Sequence, residues 1–167
     1  MRPVRAVVLL SAMLLLQACA AGWSHTSDAA LARRFESNEA EFESLRAEFE
    51  ANPQLRALFA GDCQGLHQNN LSAMQLAGFP KERARRYEDQ LQRLGVWSVI
   101  KGGRGIEFRV DPGSVSNGDS YKGIYWYRED EPRDVRPSLD DYRFSVKDEF
   151  VYKALKGHWH LYIFVAH

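Results

Sequence analysis

Residues 150–165 read FVYKALKGHWHLYIFV, and the reading of this stretch decides the fold. Two runs of aromatic and β-branched residues flank Lys156-Gly157, a pattern that predicts a β-hairpin with a two-residue turn. That turn pairs Leu155 with His158, Ala154 with Trp159, Lys153 with His160 and Tyr152 with Leu161. Directly opposed residues share a face. One face then holds Phe150, Tyr152, Ala154, Trp159, Leu161, Ile163 and Val165, and is the better core candidate. The other holds Val151, Lys153, Leu155, His158, His160, Tyr162 and Phe164. Because it too is largely apolar, a helix, a loop or a partner is expected to cover it.

Working back toward the N-terminus, the same composition continues to Gly95. The predicted strands are Val96–Ile100, Gly105–Val110, Tyr121–Tyr127, Phe150–Leu155 and His158–Val165. Gly102-Gly103-Arg104 is a hairpin turn, 111–120 a polar loop, and Arg128–Asp141 a charged loop holding Pro132 and Pro137. Before Gly95 the period changes. Pro80 takes the first position of a helix running to Leu94, where its missing N–H costs nothing, and Gly95 ends it. Its stripe is Tyr87, Leu91 and Leu94, and its other faces are basic. A short helix is expected over Pro53–Ala60, then a loop over 61–70 and another short apolar stretch over Leu71–Gly78.

From Asp28, the expected N-cap, to about Ala51 the chain reads as one helix. Leu31, Phe35, Asn38, Phe42, Leu45 and Phe49 are spaced alternately four and three apart, a heptad seam with one polar member. Such a seam either pairs with another helix, from a partner or a second copy, or packs on its own domain. Three phenylalanines over barely three heptads favour the second. The expected architecture is α+β: N-terminal helices over 28–94 packed on a C-terminal antiparallel sheet of four to five strands over 96–165, in a single domain.

Residues 1–20 read MRPVRAVVLLSAMLLLQACA. Arg2 and Arg5 precede an apolar run from Ala6 to Leu16 that is about half the ~20 residues needed to span a bilayer. That is the length of a signal-peptide core. Leu16-Gln17-Ala18-Cys19 resembles the bacterial lipobox, an aliphatic residue, then a small residue, then cysteine. The resemblance implies a signal peptide over 1–18, diacylglycerol on the Cys19 thiol, a tether over 19–27 and a domain over 28–167. By the same analogy Ala20, which is not Asp, implies sorting to the outer membrane. Ala18-Cys19-Ala20 also fits ordinary secretory cleavage after Ala20, which would release a chain without Cys19.

Residue chemistry narrows the function classes. The chain holds 22 basic and 22 acidic residues; removing 1–18 leaves 20 against 22, a net charge of −2. No basic excess points to nucleic acid or to electrostatic adhesion to lipid. With Cys19 acylated, Cys63 has no partner in its own chain, and a buried small hydrophobe is its ordinary role. Cys63 and His67 stand four apart, but Gly61 and Gly65 oppose the helix that would join them. His158-x-His160 supplies two imidazoles at alternate strand positions, short of the three or four ligands zinc wants, and Lys153 opposite His160 would repel a dication. No catalytic motif or phosphate-binding loop is present, and no metal or cofactor is expected.

Aromatic residues crowd the C-terminal half and could form a platform for sugars or peptides, or simply fill a core. The stretch Tyr121–Tyr127, the proline-bearing loop with Ser138-Leu139-Asp140, and Gly157-x-Trp159-x-Leu-Tyr-Ile-Phe is similar to small Gram-negative lipoproteins, a resemblance that implies no activity. The expectation is a lipid-anchored envelope protein with a non-catalytic binding or structural role. The alternative is a periplasm-facing enzyme or a small-ligand or metal-binding protein.

Overall fold

A computed structural model describes residues 25–60, 80–113, 120–129, 132–140, 142 and 149–165. The signal segment, Cys19, the Cys63–His67 pair, the stretches 61–70 and Leu71–Gly78, and His167 lie outside the described residues. The elements are α1 (Asp28–Ala51), β1 (Ala57–Phe59), α2 (Lys81–Leu94), β2 (Ser98–Lys101), β3 (Gly105–Gly113), β4 (Ser120–Tyr127), β5 (Glu149–Lys156) and β6 (Trp159–Val165). The fold is α+β, with the strands in one antiparallel sheet ordered β1-β2-β3-β4-β6-β5.

The sheet has six strands rather than four to five, because Ala57–Phe59 is not helical. Leu58 lies opposite Val99 and is buried, so its apolar side chain joins the core as a strand residue. Three residues are too few for local propensity to decide; pairing with β2 decides.

The helices pack on one face of the sheet. The seam residues Leu31, Phe35, Phe42, Leu45 and Phe49 are all buried in the main core, together with Phe108, Ile124, Trp159 and Leu161 of the sheet. The phenylalanines pack ring against ring: Phe42 sits edge-on to Phe108 at 5.3 Å and to Trp159 at 6.1 Å, and Phe35 meets Trp159 at 5.1 Å. The folded chain therefore places the seam against its own sheet. Asn38 interrupts the helix with φ −134°, ψ 22°, its amide donating to the Arg34 carbonyl at 2.8 Å. The kink therefore falls at the one polar member of the seam.

Both helix ends show their local chemistry. The N-cap of α1 is Ser27, whose hydroxyl accepts from Ala30 N–H, and not Asp28. Pro80 is the N-cap of α2 rather than its first residue, and Gly95 closes it in the left-handed region at φ 62°. Lys101 donates to the carbonyl of Phe49 in the last turn of α1, a cation at the negative end of a helix. The acidic flank of α1 meets α2 through Arg83–Glu48 at 2.7 Å and Arg93–Glu41 at 3.4 Å. Both pairs are partly exposed and worth little each.

The last hairpin departs from its expected register. Gly157, at φ 55°, and His158 form the turn, and Lys156 pairs with Trp159. Ala154 then pairs with His160, which leaves Leu155 as an extra residue on β5. This bulge flips β5 relative to β6. Val151 and Lys153 join Trp159, Leu161 and Ile163 toward the helices, while Phe150, Tyr152 and Ala154 join His160, Tyr162 and Phe164 on the far face. Lys153 is opposite Leu161, not His160, and its ammonium reaches Asp28 at 3.0 Å. The charged loop covers the outer edge of β5: Val135 bridges Tyr152, with Tyr152 N–H donating to Asp134 and Arg136 N–H to Tyr152.

Candidate functional site

Among the described residues no helix lies over the far face of the sheet, and this face is the candidate site. Strand alternation aims Glu107, Arg109, Tyr121, Tyr125, Tyr127, Phe150, Tyr152, His160, Tyr162 and Phe164 into it. Two zones differ in chemistry. At the Tyr127 end, Tyr125, Tyr127, Tyr152 and Tyr162 form a buried cluster, with Tyr125 and Tyr152 edge-to-face at 5.5 Å. Burial pushes the Tyr125 hydroxyl up to about 12 and the Tyr152 and Tyr162 hydroxyls above the usual tyrosine range.

Glu107 anchors the middle of the face. It accepts from the Tyr162 hydroxyl at 2.6 Å and from Arg109 at 2.9 and 3.1 Å. Burial opposes the Arg109 charge, but these contacts with Glu107 raise its pKa overall. The Arg109 guanidinium lies 4.2 Å over the Tyr121 ring and 5.8 Å from Trp97. Beside it the Trp97 indole N–H and the Ser98 hydroxyl are buried without hydrogen-bond partners. Gly123 lets Tyr162 lie flat here: a Cβ would sit 2.1 Å from the Phe108 carbonyl and 3.0 Å from the Tyr162 ring.

At the other end runs a row of rings, one after another across the strands. Phe59 to Trp97 is 6.4 Å, Trp97 to Tyr121 5.9 Å, Tyr121 to Phe164 6.1 Å and Phe164 to Phe150 4.5 Å. Each ring is partly exposed, Phe150 the most at 38%. The crowding of aromatics in residues 121–164 was legible in the sequence. Phe59 and Trp97 were not, since they join the row only through the pairing of β1 with β2 and β2 with β3.

The two strand histidines are not brought together. His160 is buried beside Tyr127 and Tyr152, whereas His158 is exposed beside Trp126. Among the described residues no group of three His, Cys, Asp or Glu is placed to hold a metal ion.

A constellation absent from the sequence reading lies on the helix side. His25 Nε2 is 3.0 Å from the Ser120 hydroxyl, and His25 Nδ1 lies 3.6 Å from Asp111 without a hydrogen bond, while Asp111 accepts from Thr26 N–H at 2.6 Å. The residues match a nucleophile, base and orienting acid. The Ser120 side chain is fully buried, so the arrangement is a clasp holding the chain before α1 rather than a reachable nucleophile. Burial lowers the His25 pKa, with Asp111 opposing and the Lys122 charge adding to the fall.

Comparison with protein-family models, with curated proteins and with solved structures returns no match.

Burial first, and the contact with Glu107 second, make the Tyr162 hydroxyl sensitive to base. A tyrosine whose folded pKa is raised stabilises the fold fully below its ordinary value near 10, and that stability is lost as pH rises through the folded value. Unfolding of the wild type monitored by tyrosinate absorbance should therefore steepen above about pH 10, and Tyr162→Phe should soften that dependence. An alkaline profile identical in both proteins would show that Tyr162 carries no such linkage.

Proposed function

We propose that this chain is a lipid-anchored protein of the bacterial envelope, cleaved before Cys19, whose role is non-catalytic binding through the aromatic face. The observation that carries the binding role is the contrast between the two faces of one sheet. One is sealed by α1 and α2 around a continuous core; the other presents a partly exposed row of five rings. Exposed contiguous aromatic surface marks interaction sites. The lipobox-like Leu16-Gln17-Ala18-Cys19 supports the anchor. Among the described residues no helix is long and apolar enough to cross a membrane, so the proposal places retention on the acyl chains at Cys19.

Two measurements test it. Cells given radiolabelled fatty acid should label the wild-type chain and not Cys19→Ala, and the variant should leave the membrane fraction. A photo-reactive residue at Phe150 should cross-link to a neighbour in living cells, while one at exposed Arg85 on the opposite side of the domain should not. Equal cross-linking from both positions, or a mature chain starting at Ala21 without lipid, overturns the reading.

A further inference from the structure

The clasp and the ring row lie at the same end of the sheet. Ser120 and Asp111, which hold His25, sit at the start of β4 and the end of β3. Tyr121 follows Ser120 directly and pairs with Phe164, which in turn pairs with Phe150, while Trp97 stands just before β2 and Phe59 at the end of β1. The Gly157 turn lies at the opposite end, about one strand length or roughly 25 Å away.

We infer that the partner of the aromatic row is the bilayer that holds the anchor. The inference rests on the lipid-anchor reading and adds a second contact to it. From Cys19 to His25 the chain is six residues long, and even fully extended it reaches only about 20 Å. The clasp fixes where that reach begins, so the end of the sheet carrying the rings is the end held beside the lipid. Its chemistry fits the boundary between headgroups and acyl chains. Tyrosine and tryptophan collect there because a flat apolar ring and a polar tip are both satisfied. Phe150 and Phe164 supply the apolar area, Tyr121 and Trp97 the amphipathic rings, and Arg109 places its charge over Tyr121. With the mature chain at net −2, the attraction is apolar and interfacial, and anionic lipid is not required.

The test uses the native acylated protein reconstituted into zwitterionic phosphatidylcholine vesicles carrying bromine either just below the headgroup or at the chain ends. The fluorescence difference between wild type and Trp97→Phe isolates one of the four tryptophans. Shallow bromine should quench that difference several-fold more than deep bromine, equally in low and high salt. Phe150→Asp, at an exposed position, should lose the quenching while the protein still floats with the vesicles and keeps its circular dichroism. Acylated, vesicle-bound protein whose Trp97 is unquenched overturns the docking and leaves the anchor standing. A mass spectrum without lipid on Cys19 and failure to float overturn the anchor, and the docking with it. Cross-linking from Phe150 that captures a protein rather than phospholipid also overturns the docking.

Discussion

Asp28→Ala should lower the stability of this domain by about 3–5 kcal/mol, the largest effect of any single polar substitution here. Asp28 is 3% exposed and is the junction of three parts of the chain. Its carboxylate meets Lys122 at 2.8 Å and Lys153 at 3.0 Å, and accepts from Leu139 N–H at 2.9 Å. Lys122, on the helix side of β4, is 1% exposed and also meets Asp140 at 2.7 Å. Asp140 in turn accepts from Asp28 N–H at 2.8 Å, tying the charged loop to the first residue of α1. Alanine at 28 leaves Lys122 buried with only a half-exposed partner. Desolvation of an uncompensated charge is the dominant loss.

For a domain of this size the expected fall in Tm is on the order of 10 °C. Lys122→Met is the informative comparison, because it removes the buried cation while Asp28 keeps Lys153 and Leu139. It should cost clearly less. A cost of under about 1 kcal/mol for Asp28→Ala would show that the network contributes no net stability. The pH dependence has a defined sign. Burial raises the Asp28 pKa, but the Leu139 N–H and the two lysines more than offset it and the net shift is downward. A carboxylate depressed in the folded state contributes stability above its ordinary value near 4, lost as pH falls toward the folded value. Acid unfolding of wild type should therefore show a loss below about pH 4 that is reduced in Asp28→Ala.

Phe42→Glu should abolish folding rather than dissociate a dimer. Phe42 is 0% exposed, and its ring touches Phe35, Phe108 and Trp159. Removing a buried phenylalanine costs about 3–5 kcal/mol by itself. A carboxylate in that apolar pocket adds the cost of an unpaired buried charge. Together these approach the whole stability of an ordinary domain, about 5–15 kcal/mol. Circular dichroism should show loss of cooperative unfolding, and Phe42→Leu, which keeps an apolar side chain, should remain folded with a reduced Tm. If Phe42→Glu stayed folded and merely halved its mass on a sizing column, the seam would be an interface and not core.

The seam shows how far residue order carries. Spacings of four and three identify the buried stripe of α1 because helical periodicity is a local property of the chain. They also name Leu31, Phe35, Phe42, Leu45 and Phe49 correctly as one face. Periodicity does not say what the face meets, since a partner helix and the chain's own sheet present equally apolar surfaces. Asn38 was visible as a polar interruption, but the kink that falls on it was not.

The class α+β, the positions of α1 and α2, the glycine stop at Gly95 and five of the strands were legible from the residues alone, because propensity, capping and alternation act within a few residues. Tertiary structure alone decided three things. It converted Ala57–Phe59 into a sixth strand. It inserted a bulge at Leu155 that reversed the faces of β5. It brought His25, Asp111 and Ser120, and then Phe59, Trp97 and Tyr121, to one end of the sheet. The physical reason is common to all three. A period-two strand changes face with a single extra residue, and contacts between positions far apart in the chain exist only once the ladder has closed.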